Sequence, residues 1–233
     1  PTQYGDFAAQ YLEHAEVAPY NALYDRPAVL DLLGDVAGRR VFDAGCGPGL
    51  YAADLVDRGA EVLGCDASPE MIDLGLARTG GRADLRVHRL EDRLDWVGDA
   101  SVDLVLSALV YHYLNDRPAF LREAHRILRP DGAVVISTHH PAWDWHRLGG
   151  SYFAEEPVTE VWSRGWEITA WRMPLAAMTE EYAAAGFVIE RLVEPMPRPE
   201  MAEAHPEQYA RLTTNPGFIV FRLRKQAAGQ PLR

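Results

Sequence analysis

The chain has 233 residues, 48% of them hydrophobic, enough for one well-buried core and short for two full-sized domains. Its 23 basic against 34 acidic residues give a net charge of −11, which repels a phosphate backbone and argues against a nucleic-acid substrate. Two cysteines do not indicate a disulfide scaffold and fit a cytoplasmic setting; without a signal-like start or an apolar run near the ~20 residues of a membrane helix, no membrane partner is expected.

In chain order, Asp25 as a cap and Pro27 at the first turn open a helix carrying Val29, Leu32, Leu33 and Val36 on one stripe. RRVFDAG is a short buried strand, YAADLVDRGA a helix stopped by Gly59, and EVLGCDAS a second strand. SPEMIDLGLARTG is a helix capped by Ser68, with Pro69 at its first position and Gly80 and Gly81 at its end. LRVHRL, VDLVLSALV and AVVISTHH are three further strands, and a helix through Phe120, Leu121, Ala124, Ile127 and Leu128 joins the last two. Apolar strands separated by helices predict a doubly wound, mainly parallel α/β sheet covered on both faces.

After residue 140 the pattern changes. The next stretch carries Trp143, Trp145, Trp162, Trp166 and Trp171, and EVWSRGWEITAW alternates as a hairpin turning at Arg164 and Gly165. LAAMTEEYAAAGF returns to a helix, and FVIERLVEP and FIVFRLRK are late strands expected to add an antiparallel edge. This divides a single domain into N-terminal helices (1–37), a core (38–140), a capping insertion (141–175), a C-terminal sheet edge (176–225) and a tail (226–233).

The first strand-to-helix turn carries Gly45, Gly47 and Gly49, where an open α/β sheet contacts its ligand. A dinucleotide fingerprint requires G-x-G-x-x-G, but Leu50 follows Gly49; a P-loop requires Gly-Lys-Ser/Thr, and no lysine is present. The ligand left is one with a ribose and no phosphate, since Asp66 at the end of the second strand accepts hydrogen bonds from two ribose hydroxyls. Glycine turns of this kind also serve only to pack a helix on its strand.

VFDAGCGPG with Asp66, and LRPDGAVVIS after the fourth helix, resemble the class I S-adenosylmethionine-dependent methyltransferases over residues 20 to 140. PYNALYDRPAVL and STHHP are similar to a small-molecule branch of the ubiquinone and menaquinone type. The resemblance implies a seven-stranded Rossmann-like fold and S-adenosylmethionine as cofactor. It implies that Asp43 orders the loop and faces the methionine end, that Gly45, Cys46, Gly47 and Gly49 flank the cofactor, and that Asp66 holds the ribose. It further places Ala67 and Met71 beside the adenine, the Ala108 carbonyl on the methionine ammonium, and the segment of Tyr4, Tyr11, Tyr20 and Tyr24 over the cofactor as a lid, ordinary packing being the other reading of those tyrosines. Where many relatives have an acid after the third strand this chain has Arg89, so the adenine contact falls to the Leu90 backbone and Glu91.

Methyl transfer from a sulfonium relies on alignment, and a base is required only if the acceptor must lose a proton. The strand ends YHY and THHP offer His112, His139 and His140 as base or acceptor-orienting groups, or else as packing histidines. No third ligand accompanies the His pair, so no metal is expected. The tryptophans wall an apolar acceptor pocket, or form a dimer interface or satellite core. The expected activity is methylation of a small, apolar or aromatic metabolite by a monomer or homodimer. A protein or RNA methyltransferase, a non-catalytic S-adenosylmethionine sensor and an NAD oxidoreductase are the alternatives.

Overall fold

The structure is a computed structural model that describes residues 18–162 and 165–226, without the side chains of Trp162 and Trp166. The lid residues Tyr4 and Tyr11, Arg164 of the hairpin turn and the tail from residue 227 lie outside the described residues.

A π-helical turn at Asn21–Asp25 runs into α1 (Arg26–Leu33), which stops at Gly34, so Val36 lies beyond the helix. Then follow β1 (Arg40–Ala44), α2 (Leu50–Asp57), β2 (Glu61–Asp66), α3 (Pro69–Thr79), β3 (Asp84–Val87) and β4 (Val102–Ala108). A 3₁₀ turn at Tyr111–Tyr113 leads to α4 (Arg117–Ile127), β5 (Leu128–His139), α5 (Pro141–Leu148), the hairpin β6 (Glu156–Trp162) and β7 (Trp166–Arg172), and α6 (Leu175–Ala184). The chain ends with β8 (Phe187–Val193), the short helices α7 (Glu200–Ala204) and α8 (Pro206–Leu212), and β9 (Phe218–Lys225).

The sheet order is β3-β2-β1-β4-β5-β9-β8, with β1 to β5 mutually parallel. β9 runs antiparallel to both β5 and β8, so the antiparallel member sits one strand in from the edge. Successive residues of a strand face opposite sides. Val41, Leu104, Val135 and Val220 pack one way, under α1, α2 and α3; Phe42, Val105, Ile136 and Phe221 pack the other, under α4 and α6.

Ser68 caps α3 as expected, accepting from the Met71 amide at 3.3 Å, and Gly80 closes it in the left-handed region. Asp25 does not cap α1; its side chain turns inward and is 1% exposed. The hairpin packs over the turn that follows β4, where the Trp171 indole donates to Asn115 at 3.1 Å. Arg117 stacks on Trp171 and makes a two-pronged pair with Glu181, which also takes the Tyr111 hydroxyl, so β7, α4, α6 and the 3₁₀ turn are tied at one buried node. The segment between β8 and β9, unassigned in the sequence, folds as α7 and α8, whose Met201 and Leu212 pack against Tyr24.

Gly49 begins α2 at φ +76°, and a Cβ there would stand 2.8 Å from the Gly75 Cα of α3. The contact is backbone to backbone, so a side chain forces the two helices apart. Gly49→Ala is therefore expected to destabilise by about 3 kcal/mol, from left-handed strain plus overpacking, read as a fall in the urea midpoint at unchanged slope.

Candidate active site

β1 delivers the chain into the glycine turn at the carboxyl ends of the parallel strands. The Gly45 and Cys46 amides both donate to the Cys65 carbonyl at 2.9 Å. Asp66, closing β2, accepts from the Gly47 amide at 3.1 Å and from the Ser68 amide at 2.9 Å. A Cβ on Gly47 would meet nothing within 4 Å, so the peptide there opens onto space. That space is a cavity of about 340 Å³ lined by Gly45, Cys46 and Gly47 from the first turn, Asp66, Ala67 and Met71 from the second, Leu90 and Glu91 after β3, and Ala108 at the end of β4.

Four cofactor candidates stand elsewhere. Asp43 is buried beneath the loop, with Oδ2 lacking any partner, and Gly49 serves the contact between α2 and α3. Tyr24 is 1% exposed, and its hydroxyl accepts the Gly217 amide at 2.9 Å, pinning the N-terminal helix to the start of β9 rather than covering the cavity. Tyr20 packs against the same small cluster. Their helix presents Asn21, Asp25 and Arg26 to the cavity instead.

The histidines separate into three roles. His112 is 1% exposed, bonds Thr138 Oγ1 through Nδ1 at 3.0 Å, and is held well below the ordinary histidine pKa by burial and by His139, so it packs as a neutral ring. His140 uses Nδ1 to accept the Ala142 amide, capping α5, which leaves its proton on Nε2 for Glu194 at 2.9 Å. His139 is partly exposed, with Nδ1 3.6 Å from the buried Asp144 carboxylate. It stacks on His112 at 3.9 Å and on Phe218 at 6.0 Å. None of the three lines the cavity; Tyr113, against the His112 ring, does. Of the tryptophans, Trp145 bonds the Gly150 carbonyl and is 49% exposed, while Trp143 lies on Arg211.

Several cavity residues escaped the sequence reading, among them Asp25, Arg26 and His88. Asp25 accepts from Tyr51 Oη at 2.9 Å and Ser137 Oγ at 3.2 Å through one oxygen and leaves the other unpartnered. Arg26 lies over the Tyr51 ring with a buried, unpaired Nε. His88, just past β3, has a buried Nε2 with no partner. The inward turn of Asp25 depends on Ser137, 112 positions away, and no local signal announces it. Glu91, by contrast, is already occupied: it pairs with Arg89 and accepts the Asn115 and Asp116 amides.

Residues 42–136 match the family model described as a methyltransferase domain. A solved S-adenosylmethionine-dependent methyltransferase from Mesorhizobium loti superposes with TM-score 0.74 at 26% identity, over 91% of this chain and all of that one. The malonyl-[acyl-carrier protein] O-methyltransferase of Pseudescherichia vulneris is 30% identical over 72% of this chain and 66% of its own length. The ubiquinone biosynthesis O-methyltransferase of Xanthomonas oryzae is 34% identical over 52% of each chain. This chain thus spans only about half to two thirds of those two relatives.

The sheet order and the crevice after β1 define a Rossmann-like methyltransferase fold. The chain belongs to the class I S-adenosylmethionine-dependent methyltransferases, with S-adenosylmethionine as cofactor. The cavity fits that cation: the peptide at Gly47 is open, Asp25 keeps a spare carboxylate oxygen on the wall, and a pyrophosphate would meet Asp25 and Asp66.

Burial pushes the Asp25 carboxyl up to about 6, and burial together with Asp66 pushes Asp43 up to about 7. Both folded values exceed the ordinary value near 4, so the ligand-free fold holds more protons than the unfolded chain between about pH 4 and pH 7. Its stability contribution from these groups is full below pH 4 and is lost as pH rises to 7. Asp43→Asn is expected to flatten that decline and to raise stability at pH 8 by on the order of 3 kcal/mol, read from denaturant midpoints at pH 5 and pH 8.

Proposed function

We propose that the chain transfers a methyl group from S-adenosylmethionine to a nucleophilic atom of a small apolar or aromatic metabolite. The observation that carries this reading is the aromatic column Tyr113–His112–His139–Phe218, which starts at the cavity wall and includes one histidine backed by a buried carboxylate. Such a column suits a flat acceptor. The net charge of −11 also disfavours RNA.

Asp66 would hold the ribose hydroxyls, its carboxylate already oriented by two amides. The spare oxygen of Asp25 and the Arg26 guanidinium would take the ammonium and carboxylate of the methionine end, next to the Ala108 carbonyl. Ala67, Met71 and Leu90 would flank the adenine, with His88 Nε2 accepting from its amino group in place of the acid that Arg89 replaces. When bound, the cofactor supplies an electrophilic methyl carbon open to in-line displacement. His139 is the base this geometry favours: the Asp144 carboxylate faces Nδ1, leaving Nε2 to take a proton from the acceptor.

Turnover is tested by following S-adenosylhomocysteine formation with a fractionated metabolite pool; stoichiometric binding without product sinks the proposal. Asp66→Ala is expected to weaken S-adenosylhomocysteine binding by about 10- to 100-fold in calorimetry, the loss of two hydrogen bonds to a charged acceptor. Substituting the histidines separates their roles. His139→Ala should lower kcat about 100-fold or more with cofactor affinity unchanged, whereas His140→Ala should cost about 1 kcal/mol of stability through its lost cap and spare kcat.

A further inference from the structure

Asp25, on the cavity wall and 1% exposed, has all its hydrogen bonds on one oxygen. Its Oδ2 accepts from the Tyr51 hydroxyl at 2.9 Å and from Ser137 Oγ at 3.2 Å, while Oδ1 has no partner. Ser137 Oγ itself accepts the Leu109 amide at 3.1 Å, which leaves its own proton for Asp25. Burial first, and Asp25 after it, hold the Tyr51 phenol well above its ordinary pKa, so that hydroxyl also stays a donor. Two donors thus fix Oδ2 as the bare oxygen and make Oδ1 the atom that carries a proton or meets a cation.

The protein supplies no such cation. Arg26, next in the chain, lies over the Tyr51 ring, and among the described residues none forms an ion pair with Asp25. Of the other ionisable groups around the cavity, Asp66 stands at the end of β2, His88 and the Glu91–Arg89 pair follow β3, and Asp43 lies beneath the loop. None of them bonds Asp25. A buried carboxylate without a counter-charge is costly as an anion, so below about pH 6 the ligand-free site keeps it as the acid.

We propose that Asp25 selects the cofactor by its α-ammonium, which takes the place of a proton on Oδ1. The O–H bond breaks, the proton leaves to solvent, and the carboxylate left behind pairs with the arriving cation, so that charge balances across the exchange. The inference rests on the placement of the methionine end given above and adds its proton. Because the bound state requires the ionised form, affinity is full above the pKa of the free acid and is lost as pH falls through it.

The test titrates the full chain by calorimetry between pH 5 and pH 7, in buffers of different ionisation enthalpy, with S-adenosylhomocysteine and with its analogue lacking the α-amino group. With the free carboxyl at about 6, wild-type affinity for S-adenosylhomocysteine should fall about tenfold from pH 7 to pH 5, and binding at pH 5.5 should release about three quarters of a proton. The deaminated analogue should fall less than twofold and release none, a comparison that needs no variant. Asp25→Asn should weaken S-adenosylhomocysteine about tenfold or more at pH 7 and lose both the slope and the release, whereas His88→Gln and Asp43→Asn should keep them. A flat wild-type profile, equal slopes for the two ligands, or a slope that survives in Asp25→Asn overturns the proposal. A flat profile with affinity still lost in Asp25→Asn would leave the placement of the methionine end standing and remove the exchange alone. Unchanged affinity in Asp25→Asn at pH 7 would remove both.

Discussion

One carboxylate organises the ligand end of this molecule. Asp66 closes β2, and by accepting the Gly47 and Ser68 amides it joins the turn after β1 to the start of α3. The two turns are neighbours only because β1 and β2 are parallel and in register from Arg40 opposite Glu61 to Ala44 opposite Cys65. Burial raises the Asp66 pKa and the backbone donors pull it down, so the amides that shape the loop also help keep its charge. Gly45, Gly47 and Gly49 matter through what this arrangement demands of them: an open peptide toward the cavity and a bare contact between α2 and α3.

The parts of the fold readable in the sequence are those determined locally. The buried strands, the Ser68 cap and the glycine stops after α2 and α3 depend on near neighbours, and each is found where its residues predict. So is the Trp-rich hairpin, whose alternation sets the pairing of Glu156 with Arg172 through Trp162 with Trp166. That Gly45, Gly47 and Asp66 meet at one cavity was legible for the same reason. What was not legible depends on distant partners. Asp25 has the position and chemistry of a cap, yet Tyr51 and Ser137 draw it into the cavity wall. Tyr24 has the look of a lid residue, yet the Gly217 amide, 193 positions away, holds it beneath β9.

The adjacent histidines show how little a dipeptide reveals. His139 and His140 have the same chemistry, but a strand puts consecutive side chains on opposite sides and the chain leaves β5 between them. One therefore joins an aromatic stack with a carboxylate behind it; the other becomes the N-cap of α5 and spends its lone pair on a backbone amide. His112 completes the contrast, since full burial keeps it uncharged.

The sheet order also bears on how the chain reaches this state. β9 is the last of the described strands in chain order, yet it lies inside the sheet, bonded to β5 on one side and β8 on the other. Until residues 218–225 emerge, β5 keeps an unpaired edge of apolar residues, Val134 to Ile136 among them, and β8 has no strand to join. Exposed edges of that kind recruit other chains. Nascent protein of this topology is consequently most vulnerable to misassociation in the interval before β9 emerges, and a stop codon shortly before Phe218 would leave an adhesive fragment.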